Sequence, residues 1–266
     1  MKISFIGGGN MGEAMLAALL DKGLSRPEDI AVSDVSEERR AYLRQRYGVG
    51  VAEHIETALG GAEVVVLAVK PQNLDAVLGE TGGRLKPGQL VLSIVAGARL
   101  STLTSGLRHD RVVRSMPNTP AQIGEGITVW TAAPAVDETA RGRARAILSS
   151  FGREIYFEDE NCLDMGTAVS GSGPAYLFYF VEALIEAAEA LGFAPENAAE
   201  LVMQTVAGSV HLLQKSGRPP AELRRMVTSP GGTTAAAIRR LEEGRFKELI
   251  SEALKAARDR AQELGK

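Results

Sequence analysis

The run Val64-Val65-Val66-Leu67-Ala68-Val69 constrains the fold more than any other segment, because every position in it is apolar. Such a run is typical of a strand in a parallel sheet that helices cover on both faces. Other short β-branched runs alternate with helical stretches through the first half of the chain. The predicted strands are residues 3–6, 30–33, 64–69, 90–95, 111–114, 126–131 and 154–157. The alternation predicts an α/β fold with a mostly parallel sheet.

The strand signals end near Asn161, and the rest of the chain is predicted to form helices separated by Gly and Pro. We therefore expect one domain over residues 1–161 and an all-α domain over residues 162–266. In the second domain, residues 176–191 are apolar around most of the helix circumference. We expect a second copy of the chain to cover this helix, so that the domain mediates dimerisation. Alternatively, the helix is the centre of its own small bundle.

Composition excludes several classes of protein. The 266 residues are enough for one or two domains, and a net charge of −3 excludes a broadly basic nucleic-acid-binding surface. No apolar run reaches the length of a membrane span, and the chain begins without a secretory signal core. The single cysteine, Cys162, allows neither an internal disulfide nor a cysteine-rich metal site. We therefore expect no metal and a cytoplasmic location.

A glycine-rich turn follows the first predicted strand. Three glycines form the pattern G-x-G-x-x-G immediately before a predicted helix. In a Rossmann-like domain the first permits a tight turn, the second lets a pyrophosphate approach, and the third lets helix and strand pack closely. The helix N-terminus would direct free N–H groups at the phosphates. The candidate cofactor-binding residues of this turn are Gly7, Gly9, Asn10, Met11 and Gly12.

An acidic residue at the end of the second strand strengthens the cofactor prediction. Asp34 lies about 20 residues after the last glycine, where a carboxylate would hydrogen-bond the adenosine ribose and repel a 2′-phosphate. Neighbouring hydroxyls and guanidiniums could instead bind that phosphate, or could form a solvated helix face. These neighbours are Ser33, Ser36, Arg39 and Arg40. We expect both NADH and NADPH to be used, with a preference for NADH.

Further turns are predicted at the carboxyl ends of later strands, the edge at which doubly wound sheets bind ligands. Lys70 could hold a phosphate or ribose, although ordinary loop chemistry also explains a Lys-Pro pair. Asn118 is suited to the neighbourhood of a nicotinamide, and it would equally suit an Asx turn. The candidate cofactor-binding residues of these turns are Ala68, Val69, Lys70, Pro71, Ala96 and Asn118.

Two segments rich in glycine and hydroxyls in the helical half could bind an anion. They are residues 167–176 and 227–234, and each precedes a predicted helix. Glycines and hydroxyls at a helix N-terminus offer free N–H groups and a favourable dipole to a carboxylate. Each segment could equally be a simple helix cap.

The inventory of proton donors favours reduction of a C=N bond over a C=O bond. Reducing a ketone leaves an alkoxide that needs a proton, usually from His or Lys, whereas reducing a protonated imine needs none. Histidine occurs only at positions 54, 109 and 211, and no lysine lies between Lys86 and Lys215. The candidate pockets therefore offer hydroxyls and amides.

Five segments resemble, in order, those of the pyrroline-5-carboxylate reductase family, and the resemblance covers essentially the whole chain. They are residues 7–12, 68–72, 114–120, 170–176 and 227–234, of which the last is the family's distinctive signature. The resemblance implies the last step of proline biosynthesis, in which NADPH or NADH reduces the C=N bond of 1-pyrroline-5-carboxylate to give L-proline. It also implies a homodimer or higher homo-oligomer built from the helical domain. In it the substrate loop of one chain meets the cofactor domain of the other.

The signature, matched residue by residue, implies the substrate site. Thr234 matches the family's threonine, whose hydroxyl would hydrogen-bond the ring nitrogen, so it is the candidate catalytic residue. The implied substrate-binding residues are Val227, Ser229, Gly231, Gly232, Thr233 and Thr234. The sequence departs from the family at Asp34, where many relatives carry a serine or another neutral residue. It also departs at His54, where an asparagine near the adenosine ribose is expected and a ring nitrogen could replace its hydrogen bond.

Two other functions stay open. One is a related reductase or dehydrogenase of another small carboxylic acid, such as a β-hydroxy acid, and the lack of a lysine in the helix that follows Pro174 argues against it. The other is a non-catalytic dinucleotide-sensing protein, which would have no need of the second anion-binding loop at residues 228–234.

Overall fold

The computed structural model describes residues 1–265. The described chain forms two compact units. Residues 1–172, together with those from Ala256 onward, form the first, and residues 173–255 form the second. The domain boundary expected after residue 161 stays a prediction, because compactness alone does not establish which segments fold as independent domains.

The first unit contains an eight-stranded sheet within the described residues. The strands are β1 (Ile3–Ile6), β2 (Ile30–Ser33), β3 (Gly50–Ala52), β4 (Val64–Leu67), β5 (Leu90–Ser93), β6 (Val112–Met116), β7 (Gly126–Ala132) and β8 (Gly152–Tyr156). Their order is β3-β2-β1-β4-β5-β6-β7-β8, and all neighbours are parallel except β6 and β7. The predicted α/β class, a Rossmann-like mostly parallel sheet followed by an all-α part, is confirmed. The strand order reverses beside β1, which places a ligand crevice at the carboxyl ends of β1 and β4.

Helices cover both faces of this sheet. They are α1 (Asn10–Asp21), α2 (Glu37–Tyr47), α3 (Ile55–Leu59), α4 (Leu74–Thr81), α5 (Leu100–Leu107), α6 (Glu138–Ser149) and α7 (Asn161–Gly166). Successive side chains of β4 enter different cores: Val64 and Val66 pack in one cluster with Leu16, and Val65 packs in another with Leu103. Every residue of β4 is therefore buried, as the apolar run predicts.

Strand bounds differ from the prediction at several places, of which two are the later end of β6, by two residues, and the earlier start of β8, also by two residues. Strands β4 and β5 each end two residues earlier than predicted, because the chain leaves the ladder at the carboxyl edge and turns into the loops of the crevice. Strand β3 was not predicted at all. Its three residues form an edge strand that is only partly covered, so its sequence has neither a clear alternation nor a long apolar run.

The second unit is helical and has little core of its own. Its helices are α8 (Gly173–Ala190), α9 (Pro195–Ser216), α10 (Pro220–Met226), α11 (Thr233–Glu243) and α12 (Phe246–Leu264), of which α12 ends in the first unit. Among its described residues, only Ala198 and Val202 are buried hydrophobics. On α8, Phe178 is 64% exposed and Tyr179 is 74% exposed. A single chain thus leaves the apolar surface of α8 uncovered. No helix in the described chain is both long enough and apolar enough to cross a membrane.

Candidate cofactor and substrate sites

The three glycines of the G-x-G-x-x-G turn have the backbone features predicted for them. Gly7 has a φ of +97°, and a Cβ there would lie 2.6 Å from the Ala68 carbonyl oxygen. A Cβ on Gly12 would lie 2.7 Å from the Gly7 carbonyl oxygen, whereas a Cβ on Gly9 would meet nothing within 4 Å. The turn is therefore tight at Gly7, closely packed at Gly12 and open at Gly9.

Helix α1 begins without a side-chain cap. Gly9 precedes it in an extended conformation and makes no side-chain hydrogen bond to the helix. The first N–H groups of any helix lack partners within the helix. The positive end of α1, including the amides of Asn10 and Met11, therefore faces the open space over Gly9, and these features fit the pyrophosphate of a dinucleotide.

A groove of about 670 Å³ lies at the carboxyl ends of β1, β2 and β4. The predicted cofactor residues that line it are Gly7, Gly9, Ser33, Asp34, His54, Ala68, Val69 and Lys70. Other lining residues were missed by sequence reasoning, because they come from helix faces and loop ends without a motif: Glu53, Asn73, Ala76, Val77 and Glu80. The remaining predicted residues do not line this groove: Asn10, Met11, Gly12, Pro71, Ala96 and Asn118.

The Asp34 carboxylate joins the loop that follows β2 to the glycine turn. Its Oδ2 accepts a hydrogen bond from the Gly8 N–H at 2.8 Å, and its Oδ1 accepts one from the Ser36 N–H at 2.9 Å. A carboxylate oxygen accepts more than one hydrogen bond, so both oxygens can still accept from ribose hydroxyls. The arrangement fits an unmodified adenosine ribose.

The arginines near Asp34 are already engaged by the protein. Arg39 donates to the carbonyl oxygen of Gly8 and to the carboxylate of Glu13. Arg40 donates to the carbonyl oxygen of Asp34 at 2.7 Å and lies 3.7 Å from the Glu53 carboxylate. The local structure thus supplies partners for both guanidiniums that could bind a 2′-phosphate.

The hydroxyls of the same stretch also have structural partners. The Ser36 hydroxyl accepts the Arg39 N–H at 3.2 Å and caps α2. The Ser33 hydroxyl donates to the Glu53 carbonyl oxygen at 3.4 Å. These serines therefore shape the loop whether or not a phosphate is present.

Glu13 is a charged group of this region that the sequence analysis did not single out. Its carboxylate accepts hydrogen bonds from the hydroxyls of Tyr42 at 3.0 Å and Tyr47 at 2.8 Å, besides that from Arg39. Burial raises the pKa of Glu13, but the hydrogen bonds from Tyr47, Arg39 and Tyr42 outweigh it, so the pKa lies below its ordinary value. The carboxylate is ionised at neutral pH and holds α2 against α1.

Three predicted polar residues differ in what they contact. Lys70 and His54 are exposed at the groove, where they are free to meet a nucleotide. Asn118 is buried, and its Oδ1 accepts the Ile127 N–H at 2.9 Å. That bond ties the start of β7 to the turn after β6, and it is not an Asx turn, in which the side chain would bond the backbone two residues on.

The predicted anion-binding segment at residues 167–176 does not form an open helix N-terminus. Thr167–Gly171 is a π-helical turn, and the Ser172 N–H donates to the Thr167 carbonyl oxygen at 2.8 Å. The Ser170 hydroxyl donates to the Gly166 carbonyl oxygen at 2.9 Å. The prediction of an anion nest here is wrong, because these backbone and hydroxyl groups bond back to the preceding turn.

The second segment, at residues 227–234, does form an open helix N-terminus. Gly231 has a φ of +72°, and Gly232 precedes α11 in an extended conformation with no side-chain cap. A Cβ on Gly232 would overlap the Ser229 hydroxyl, so a glycine is required for that hydroxyl to sit over the turn. Thr233 is exposed and Thr234 is half-buried in the first turn of α11. Free amides, hydroxyls and a helix dipole together fit a small carboxylate.

Comparison with known families covers both parts of the chain. Residues 160–264 match the model described as pyrroline-5-carboxylate reductase dimerisation. Residues 2–97 match the model described as NADP oxidoreductase, coenzyme F420-dependent. The second match spans β1 to β5 and the glycine turn, and the first spans the helical part that contains the 227–234 loop.

Similar proteins match over the full length. The pyrroline-5-carboxylate reductase of Synechocystis is 41% identical, with 100% of this chain and 99% of that protein covered. A structure of a pyrroline-5-carboxylate reductase from Coxiella burnetii is 37% identical with a TM-score of 0.89, covering 100% of this chain and 98% of the other. The Plasmodium falciparum pyrroline carboxylate reductase with NADP bound is 29% identical with a TM-score of 0.90, at the same coverage. The chain belongs to the pyrroline-5-carboxylate reductase family of NAD(P)-dependent oxidoreductases.

Proposed function

We propose that the chain reduces 1-pyrroline-5-carboxylate to L-proline with NADPH or NADH, as the last step of proline biosynthesis. The observation that carries the proposal is the uncapped N-terminus of α11 behind Gly231 and Gly232. It offers a carboxylate site in a chain that also has a dinucleotide groove. Family membership supports the same reaction.

The glycine turn and the strand ends would hold the cofactor. The uncapped α1 N-terminus would bind the pyrophosphate, and Asp34 would accept from the adenosine ribose. The residues assigned to the cofactor are Gly7, Gly9, Asn10, Met11, Gly12, Ser33, Asp34, His54, Ala68, Val69, Lys70, Pro71, Ala96 and Asn118. A bound reduced nicotinamide supplies the hydride that becomes a hydrogen on the C=N carbon.

The 227–234 loop would orient the substrate. The substrate carboxylate is assigned to the hydroxyls and backbone amides of Ser229, Gly231, Gly232 and Thr233, with Val227 beside it. The Thr234 hydroxyl is placed at the ring nitrogen. Because the protonated imine nitrogen keeps its proton as the bond to carbon is reduced, no side chain needs to donate one. The protein's contribution is then mainly positioning of the two reactants.

The active assembly is proposed to be a homodimer or a larger homo-oligomer formed through the helical part. The exposed apolar side chains of α8 support this, because a single chain does not cover them. In this assembly the substrate loop of one chain serves the cofactor groove of the other. The net charge of −3 argues against a nucleic-acid partner, and the single cysteine suits a cytoplasmic location.

The proposal is tested by adding 1-pyrroline-5-carboxylate to the purified chain with NADH or NADPH. We expect loss of the reduced-nicotinamide absorbance and formation of L-proline in equal amounts. Oxidation only with another small keto acid would identify a different dehydrogenase. Tight cofactor binding without oxidation by any of these substrates would identify a dinucleotide-sensing protein.

A further inference from the structure

The guanidinium of Arg39 is held on the side of α1 by contacts from several directions. It donates to the Glu13 carboxylate and to the Gly8 carbonyl oxygen, and it lies 5.0 Å from the centre of the Tyr42 ring. The side chain of Arg39 is 24% exposed and that of Glu13 is 19% exposed. Partial burial and three contacts make this a defined arrangement rather than a loose surface pair.

The peptide groups on either side of Gly8 link the Arg39–Glu13 pair to the carboxylate of Asp34, which is proposed to bind the adenosine ribose. The Gly8 N–H donates to Asp34 at 2.8 Å, while its carbonyl oxygen accepts from Arg39. Arg39 follows the N-cap of α2 and lies five residues after Asp34 in sequence, so its long side chain starts close to the ribose end of the groove. A released Arg39 would be well suited to pair with a phosphate through its planar guanidinium.

The remaining charges at this end do not favour a phosphate. Asp34 and Glu53 line the groove, and a 2′-phosphate would be repelled by both carboxylates. Arg40 is occupied by the carbonyl oxygens of Asp34 and Val35 and by Glu53. Of the two arginines near Asp34, Arg39 is therefore the one whose position decides whether this end of the groove accepts the extra charge of NADPH.

We propose that Glu13 is a specificity-determining residue that holds Arg39 away from the adenosine ribose and so favours NADH over NADPH. The inference rests on the proposed cofactor groove. Glu13 acts by holding Arg39, whereas Asp34 itself repels the 2′-phosphate. Two residues therefore contribute separately to the preference for NADH over NADPH. Tyr47 supports Glu13 through its hydroxyl at 2.8 Å, and Arg46 lies 4.0 Å from the same carboxylate.

The test is a double-mutant cycle of Glu13→Gln and Arg39→Gln. The measured quantity is the ratio of the dissociation constants for NADPH and NADH, obtained from cofactor fluorescence without substrate. Glu13→Gln should free Arg39 and shift the ratio about tenfold toward NADPH, as expected for one gained charge-assisted hydrogen bond. Arg39→Gln in that background should abolish the gain. Glu38→Gln is the matched control, because it removes an exposed carboxylate one residue before Arg39. Its effect on the ratio should stay within about twofold.

Arg39→Gln in the otherwise unchanged protein provides a second, independent result. We expect the ratio to stay within about twofold, because Arg39 is engaged by Glu13 before any cofactor binds. The inference is overturned if Arg39→Gln alone weakens NADPH selectively, because Glu13 would then be orienting Arg39 toward the phosphate. It is also overturned if Glu13→Gln leaves the ratio unchanged. Since binding is measured without substrate, failure to reduce 1-pyrroline-5-carboxylate would count against the proposed function and leave this result intact.

Discussion

The guanidinium of Arg114 lies 2.8 Å from the carboxylate of Asp164, and both side chains are almost completely buried. Arg114 also lies 2.8 Å from Glu160, and Arg99 lies 3.4 Å from Asp164. The Leu100 N–H donates to Glu160 at 2.7 Å. This network joins β6 to α7 and to the start of α5, next to the loops at the carboxyl edge of the sheet.

Replacing Arg114 with Met should lower the free energy of unfolding by about 3 kcal/mol, because the buried Asp164 carboxylate then keeps only Arg99, 3.4 Å away, as a charged partner. The double change Arg114→Met with Asp164→Leu should cost less than the sum of the single changes, since no uncompensated buried charge remains. Denaturant unfolding at one fixed protein concentration measures both. A loss below about 1 kcal/mol for Arg114→Met would show that the pair is not an important constraint.

Two glycines of the cofactor turn should respond differently to substitution. Gly9→Val adds atoms in open space at an ordinary φ of −64°, so the fold should persist while NADH binding weakens at least about tenfold. Gly12→Ala places a Cβ 2.7 Å from a backbone oxygen and should lower stability by about 1–3 kcal/mol. Thermal unfolding and cofactor titration separate the two effects. Equal loss of stability in both variants would contradict the distinct roles of these glycines.

Thr234→Ala should lower kcat about tenfold, the expected effect of losing one hydrogen bond to the reacting ring, without changing the unfolding temperature or the oligomeric state. The measurement is steady-state reduction of 1-pyrroline-5-carboxylate, with size-exclusion chromatography alongside. Thr102→Ala, at an exposed position of α5, is the matched control and should be neutral. Unchanged kinetics of Thr234→Ala would remove this hydroxyl from the mechanism.

The depressed pKa of Glu13 predicts a specific acid sensitivity. Because the folded-state pKa lies below the ordinary value of 4.5, the stabilising contribution is fully present above that value and is lost as the pH falls through the folded-state pKa. Glu13→Gln should therefore flatten the fall in unfolding free energy over the acid range while lowering stability at neutral pH. Denaturant unfolding over a pH series measures this. Parallel pH profiles for Glu13→Gln and for the unchanged protein would contradict a lowered folded-state pKa of Glu13.

Features that depend on the spacing of residues along the chain were predictable. Contacts between residues of different helices were not. The G-x-G-x-x-G turn and Asp34 follow from spacing after β1 and β2, and the structure brings both to one groove. The contact between Glu13 and Arg39 depends on how α1 packs beside α2, which no local pattern encodes. The π-helical turn at Thr167–Gly171 was missed because a Ser/Gly run suits either an open helix N-terminus or a continued helix.

Helix α8 is a further case in which the element was predictable and its packing partner was not. Its composition predicted burial on several sides, and the boundaries of α8 lie within a few residues of those expected. What covers the helix was not predictable from one chain, in which apolar side chains such as Phe178 and Tyr179 stay exposed. The family match to a dimerisation region agrees with a second copy as the cover.

The most direct test of the account is a mixed dimer of two defective chains. Gly9→Val impairs the cofactor turn, and Gly232→Val, whose Cβ would overlap the Ser229 hydroxyl, impairs the substrate loop. If the loop of one chain serves the groove of its partner, co-expression should restore about a quarter of the wild-type rate, because half of randomly assembled dimers are mixed and each has one intact site. Mixed dimers as inactive as either variant alone would contradict a site shared between chains.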